Sequence, residues 1–194
     1  WIERLEMVAR ESDNAARATN SLPLLRARYV VETEEWKTFP VNGEASPHEL
    51  LATVLSAVRT NDVATAERAA EELEGRAESG DAQSRIMHKE AAALVQLAKR
   101  QGDAATQLMD EAIEIAEGLR PPSGAASPIK PPYELYGEIL LELDRPAEAL
   151  EKFETSLLRM PNRARSLLGA ARAAAKSGDR RTAQERHRTL LAIW

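Results

Sequence analysis

Three histidines are the side chains best suited to chemistry in this sequence, and their spacing argues against a reactive site. His48, His88 and His187 lie far apart, and none has a second histidine at the spacing of a metal site. The sequence has no His-Glu-x-x-His motif, no glycine-rich phosphate loop and no Gly-x-Ser-x-Gly turn. The absence of cysteine excludes thiol catalysis and thiolate metal ligands. We therefore predict a protein that is not an enzyme, with no catalytic residues, no metal and no cofactor.

Carboxylates are abundant, but their setting predicts solvated helix faces rather than paired catalytic acids. They alternate with alanines at helical spacing, often with Arg or Lys three or four residues away. Hydrophobic residues make up 43% of the chain and aromatic residues only 4%. No long alternating Val, Ile and Thr segment occurs. Any site must therefore be positioned by helices, in an all-α fold with little or no β-strand.

The last third of the chain contains the same 34-residue unit twice. Gly137 precedes Ala171 by this interval, and Ala149 precedes Ala183. Small residues at a fixed period on both sides of a turn are the signature of a helix-turn-helix array, because they let paired helices approach closely. The predicted packing residues, with a proline that ends one unit, are Tyr133, Tyr136, Gly137, Leu140, Ala149, Phe153, Pro161, Ala171 and Ala183.

These units resemble the tetratricopeptide repeat (TPR) family. The unit from Tyr133 carries a nearly full set of matching residues, whereas the next has His187 where a large aromatic residue is usual. The resemblance implies a right-handed α-solenoid of antiparallel helix pairs. The order of features also resembles one group of bacterial multi-repeat TPR proteins of unassigned activity, most clearly in Tyr133–Glu138 and Leu140–Leu150.

The predicted organisation is one continuous solenoid with an interruption. Its parts are degenerate TPR-like repeats over 1–117, a Pro-rich connecting loop over 118–132, and two well-matched TPR units over 133–194. Trp1–Thr19 has helical spacing, and Leu22–Trp36 is predicted to be a new helix with Pro23 in its first turn. The regular pattern breaks at Lys37–Gly43, so this degenerate repeat is expected to have a short or missing second helix.

Two further helix pairs are predicted before the Pro-rich loop. Ser46 followed by Glu49 forms a capping box at the start of one helix. Asn61-Asp62 and Gly102-Asp103 are the predicted turns within the two pairs. The spacing after Gly102-Asp103 is two residues shorter than in the C-terminal units, which leaves the register there open.

Five prolines fall within residues 118–132, so this segment cannot be a helix. Irregular segments of this length are uncommon inside compact domains and are often functional or disordered. Two interpretations stay open. The segment is either a simple insertion between repeats or a lid that lies along the groove of the solenoid and occupies it like a ligand.

The TPR resemblance implies a concave groove, lined by the first helix of each pair, that holds an extended peptide or a helix. The candidate groove residues are Leu55, Gln96, Lys99, Glu134, Glu138, Leu141, Leu168, Arg172 and Lys176. Glu134 and Glu138 stand where the TPR clamp for a C-terminal carboxylate needs Lys and Asn, which disfavours that ligand. Arg172 and Lys176 remain suited to an acidic side chain.

Charge is distributed unevenly along the chain. Residues 159–194 hold nine basic and two acidic side chains, so this end carries +7 and the remainder −12 of the net charge of −5. Such an end either binds acidic groups or is a solvated capping repeat. Nucleic-acid binding is disfavoured because Trp194 is the only aromatic residue there. We expect a protein or peptide partner. The alternative is a purely structural segment of a larger protein.

The sequence has no run of eighteen apolar residues, so no membrane span is predicted. The chain begins at Trp1 rather than Met, from which we expect a part of a longer array. A soluble protein is expected, with the compartment open between the cytoplasm and the periplasm. The oligomeric state stays open.

Overall fold

The computed structural model describes residues 2–11, 15–78, 80–122 and 124–193. Within these ranges the chain is helical, with turns, two irregular segments and no β-strand. The helices are α1 Ile2–Glu11, α2 Ala15–Thr33, α3 Pro47–Arg59, α4 Val63–Glu78, α5 Ala82–Ala98, α6 Gly102–Glu117, α7 Pro132–Glu142, α8 Pro146–Arg159, α9 Ala164–Lys176 and α10 Arg180–Ile193. The predicted all-α fold class is confirmed.

Helices α3 to α10 form four antiparallel pairs that stack in chain order. Within a pair the two helices contact each other closely, and the second helix of one pair packs on the first helix of the next. The first helices α3, α5, α7 and α9 also contact one another in succession, and α2 contacts α3 in the same way. The result is an α-solenoid with one buried core that runs from α2 to α9.

The same left-handed turn joins the helices of every pair. The residues with positive φ are Asn61, Arg100, Asp144 and Gly178, at 61°, 62°, 57° and 85°. The next residue donates its N–H to the carbonyl five positions earlier, at 2.8 Å in Asp62–Ala57 and 2.9 Å in Gln101–Gln96. This bond satisfies a carbonyl left free at the helix end. The second helix then begins one residue later in all four pairs.

This turn corrects the predicted register of the α5–α6 pair. Gly102 is the first residue of α6 and not the turn, which is formed by Arg100. When the spacing is counted from the residue with positive φ, the second helix of the α5–α6 pair is no longer two residues short of the C-terminal pairs. The fifth residue after it is then a buried alanine in each pair: Ala66, Ala105, Ala149 and Ala183.

The N-terminal part differs from prediction at Pro23. No helix begins there; α2 runs from Ala15 to Thr33 with Pro23 inside it. The apolar face continues through this proline, from Leu22 to Val30, and its burial stabilises one long helix despite the lost N–H donor. The chain then lies along α3 without forming a second helix, as expected.

Side chains of α3 hold this extended segment in place. The Phe39 N–H donates to Thr53 Oγ1 at 2.9 Å, and the Lys37 N–H to Ser56 Oγ at 3.2 Å. The predicted capping box at the start of α3 is confirmed, since Ser46 Oγ accepts from the Glu49 N–H at 3.2 Å and the Glu49 carboxylate accepts from the Ser46 N–H.

Proline also defines the ends of the C-terminal pairs. Pro132 is the first residue of α7, so the irregular segment ends at Pro131, one residue earlier than predicted. Pro161 lies in the turn between α8 and α9. In α10, Ala183 is the buried residue and His187 is exposed.

Candidate functional site

Ion pairs cross the face formed by the first helices. Arg165 near the start of α9 donates to Glu34 just after α2 at 2.8 Å, and Arg163 lies 3.0 Å from Glu32 in α2. Arg59 at the end of α3 donates to Glu142 at the end of α7 at 2.7 Å. Since α2 and α9 are far apart along the solenoid, the array curves toward this face. We call the space between them the groove.

A cavity of about 500 Å³ opens into the groove between α7 and α9, with the ends of α2 and α3 opposite. Leu141, Leu168 and Leu190 contribute apolar surface. The charged lining residues are Glu32, Glu34, Arg59, Glu138, Glu142, Arg165 and Arg172. This groove cavity combines an apolar lining with charges of both signs, a composition suited to an amphipathic peptide segment.

The arginines of the groove cavity differ in their pairing. Arg59 and Arg165 form the cross-groove ion pairs, and Arg165 also donates to the Glu32 carbonyl at 3.0 Å. Arg172 is exposed and forms no ion pair within the part of the chain that the structure describes. It is therefore the cation of this cavity that can bind an acidic group without first breaking an internal contact.

The structure brings together four of the predicted groove residues: Glu138, Leu141, Leu168 and Arg172 all line the groove cavity. Leu55 is 3% exposed and Glu134 0%, so neither side chain faces the open groove as predicted, and both expectations are corrected. Leu55 packs in the core, and Glu134 is enclosed by internal cations.

The remaining three predicted groove residues lie elsewhere. Gln96 is half-buried on α5, with its Oε1 buried and without a hydrogen bond. Lys99 pairs with Glu67 at 2.6 Å and Lys176 with Asp144 at 3.4 Å, both at the surface. None of the three lines the groove cavity.

Glu134 is the centre of a buried charge network. Arg163 donates to both of its carboxylate oxygens, at 2.6 and 2.9 Å, and Ser166 Oγ donates at 2.7 Å. Lys130 Nζ donates at 3.1 Å. Burial alone would raise the pKa of Glu134, but Lys130, Arg163 and Ser166 outweigh it and lower this pKa to about 2. The network fastens α9 and the Pro-rich segment to α7.

The Pro-rich segment lies on the first-helix face, and its second half is buried. Ala126, Ile129 and Lys130 are 3%, 0% and 2% exposed. Arg28 on α2 donates to the Ala126 carbonyl at 2.9 Å, and Ile129 belongs to the core. Residues 126–131 therefore pack between α2, α5 and α7 as part of the fold.

Lys130 and Glu90 are buried ionisable residues that the sequence analysis did not identify. Lys130 Nζ also donates to Glu138 at 2.6 Å. Burial alone would lower the pKa of Lys130, but Glu138 and Glu134 offset it, so this pKa is raised. Glu90 on α5 is fully buried, and within the described ranges neither carboxyl oxygen has a hydrogen-bond partner. Burial raises its pKa well above the ordinary value. In the sequence, the four-residue spacing of Lys130, Glu134 and Glu138 is the pattern that indicates ion pairing among them.

Several other chemistries lack a basis in the described ranges. They contain no group of three His, Asp or Glu side chains arranged to hold a metal ion. They also contain no helix with the length and apolarity needed to cross a bilayer. In the basic C-terminal segment, residues 159–194, the Arg186 guanidinium donates to both carboxylate oxygens of Glu154, at 2.8 and 2.7 Å. Trp194 lies outside the described residues.

No family model matches the chain, and no curated protein matches it. Two solved structures of MamA are similar over nearly the whole length. MamA AMB-1 has 17% identity and a TM-score of 0.48, covering 100% of this chain and 96% of its own. A MamA point mutant has 19% identity and a TM-score of 0.46, covering 99% and 94%. The recurring turns and buried alanines of this chain give it a TPR-like helical fold.

Proposed function

We propose that this chain is a non-enzymatic protein-interaction module, and that the groove cavity holds a short segment of a protein partner. The observation that carries the proposal is the lining of that cavity. Apolar side chains of α7, α9 and α10 lie beside Arg172, whose charge has no partner within the described residues. A segment with an acidic residue next to apolar residues would match both features.

The size of the cavity favours a short segment over a whole helix. Its volume of about 500 Å³ falls within the range of about 300–1,000 Å³ that is typical of ligand pockets. A helix laid along the groove would have to separate Arg165 from Glu34 and Arg59 from Glu142. Inserting a few side chains beside Arg172 leaves those ion pairs intact.

Selection from random linear peptides displayed on phage tests this proposal without a known partner. We expect enriched peptides to carry Asp or Glu beside large apolar residues. A synthetic peptide of the enriched sequence should bind Arg172→Glu at least about tenfold more weakly than the wild type, which corresponds to about 1.4 kcal/mol. Its affinity should also fall with added salt, because an exposed charge pair is screened.

Arg188→Glu is the matched control, because it makes the same charge change at an exposed position of α10 outside the groove cavity. Equal loss of affinity in both variants would mean a nonspecific charge effect and would refute the assignment to the cavity. If no peptide is enriched by the folded protein, the purely structural role would be favoured instead.

A further inference from the structure

We propose that the groove also contains a binding site for the primary ammonium group of a lysine side chain. Glu134 and Glu138 form this ammonium site with Glu90 nearby, and Lys130 of the chain's own Pro-rich segment fills it. When the segment is displaced, the lysine side chain of a partner can take its place. The site shares Glu138 with the groove cavity, and it takes a ligand of opposite charge to the one expected at Arg172.

The contacts of Lys130 define the ligand. Its Nζ donates to Glu134 Oε1 at 3.1 Å and to Glu138 Oε1 at 2.6 Å, and the residue is 2% exposed. Two carboxylates four residues apart on α7 thus hold one ammonium from the same side. A compact ammonium group with several donors suits this arrangement better than a planar guanidinium.

The ammonium site is built by residues other than its occupant. Arg163 binds both oxygens of Glu134, and Ser166 donates to it at 2.7 Å while sharing a second hydrogen bond with Ser156 at 2.9 Å. These contacts fix the Glu134 carboxylate whether or not Lys130 is present. A preorganised acceptor of this kind lowers the entropic cost of binding a new ammonium group.

Glu90 supplies a second observation that points to a ligand. It is fully buried on α5, and its two carboxyl oxygens have no hydrogen-bond partner among the described residues. The charge of Lys130 lowers its pKa, whereas the charge of Glu134 raises it. Buried polar groups are normally paired, so this buried carboxyl leaves unused binding capacity. An incoming ligand with additional donors can use this capacity.

The segment that carries Lys130 is attached as a ligand would be. Besides Lys130, its polar contacts to the helices include Arg28 with the Ala126 carbonyl at 2.9 Å and Ser127 with Gln83 at 2.7 Å. Ile129 inserts into the core as an apolar anchor. An apolar residue followed by lysine is therefore the pattern expected of a competing partner segment.

A chemical substitution at position 130 tests the ammonium requirement within the chain. Because the protein has no cysteine, Lys130→Cys creates its only thiol. Alkylation in denaturant with bromoethylamine forms a C–S bond, releases bromide and restores an ammonium at the length of lysine. Iodoacetamide gives a neutral side chain of similar length. After refolding, we expect the neutral adduct to melt roughly 6–20 °C below the aminoethyl adduct. Equal melting temperatures would overturn the proposal.

Binding from outside the chain is tested with Lys130→Ala and n-butylammonium as the probe. We expect a saturable rise in melting temperature with butylammonium, no such rise with n-butanol or tetramethylammonium, and none in the wild type. Lys89→Ala is the matched control, because Lys89 pairs with Glu111 at 2.6 Å at the surface. If Lys130→Ala is unfolded, its refolding yield with the same probes replaces the melting temperature. An equal response to butylammonium and its controls, or an equal response in Lys89→Ala, would refute the site.

Discussion

The ring of Phe153 lies against the backbone of Gly137, and a Cβ on that glycine would be 2.8 Å from two ring carbons. Gly169, on the next first helix, contacts the other edge of the ring even more closely. Phe153 is fully buried. The second helix of one pair thus inserts its aromatic residue between α7 and α9, and both must lack a side chain at the contact.

Replacing Gly137 with Leu should therefore destabilise the protein strongly. The new side chain overlaps the Phe153 ring, and overpacking of this kind costs about 1–3 kcal/mol or more. Gly75→Ala is the control, because a Cβ there meets nothing within 4 Å inside α4, and it should stabilise by about 0.5–1 kcal/mol. Urea unfolding measures both; an unchanged midpoint for Gly137→Leu would contradict the assigned packing.

The shared left-handed turn predicts opposite effects at two equivalent positions. Arg100 has φ of 62° and Gly178 has φ of 85°. Since left-handed backbone costs a side-chain-bearing residue roughly 1–2 kcal/mol, Arg100→Gly should relieve strain and Gly178→Ala should introduce it. We expect melting temperatures to rise and fall, respectively. Changes of the same sign would mean that the two turns are not equivalent.

Acid should weaken the network around Glu134. The pKa of Glu134 in the folded protein is about 2, below the ordinary value of 4.5. Its contribution to the free energy of unfolding is therefore present above pH 4.5 and is lost as pH falls toward 2. The expected loss of unfolding free energy is about 3 kcal/mol. Glu134→Gln should be about 3–5 kcal/mol less stable at pH 7 and less sensitive to acid. Denaturant unfolding from pH 7 to 2.5 checks this, with the exposed Glu71→Gln as control; a parallel pH profile for wild type and Glu134→Gln would contradict it.

The contribution of Glu90 to stability should change with pH in the opposite direction to that of Glu134. Its pKa is raised above the ordinary value of 4.5, so its contribution to stability is full below pH 4.5 and declines as pH rises toward the folded pKa. Lys130 and Glu134 are the charged groups that face it. Glu90→Gln removes this decline. We expect the stability of the variant relative to wild type to increase between pH 4 and pH 7, as measured by urea unfolding. If the stability difference between Glu90→Gln and wild type does not change with pH, the Glu90 carboxyl does not have a raised pKa in the folded protein.

Deleting Pro121–Pro131 should lower stability while leaving most helicity in place. The deletion removes Ile129 from the core and Lys130 from Glu134, although no helix lies within the part of the deleted range that the structure describes. We expect nearly unchanged far-ultraviolet circular dichroism and a clearly lower melting temperature. An unchanged melting temperature would contradict the packing of this segment on the first-helix face.

The sequence by itself determined the elements and most of the repeat. Small residues at a 34-residue interval, prolines at helix starts and the Ser46–Glu49 capping box are local signals, and each acts within a turn or two of its own position. The fold class followed from them. Pro23 and Gly102 differ from prediction because proline and glycine can either end a helix or be tolerated inside one. Burial of the surrounding helix face decides between these two roles.

Only the tertiary structure decided what the groove contains. Arg165 and Glu34 are separated by more than a hundred residues, and the curvature that brings them together is the sum of small rotations between stacked pairs. Lys130 and Glu134 were visible as neighbours in sequence, but their burial depends on where the irregular segment runs, which no helical periodicity encodes. The location of the groove cavity and the occupied ammonium site therefore came from packing between distant elements.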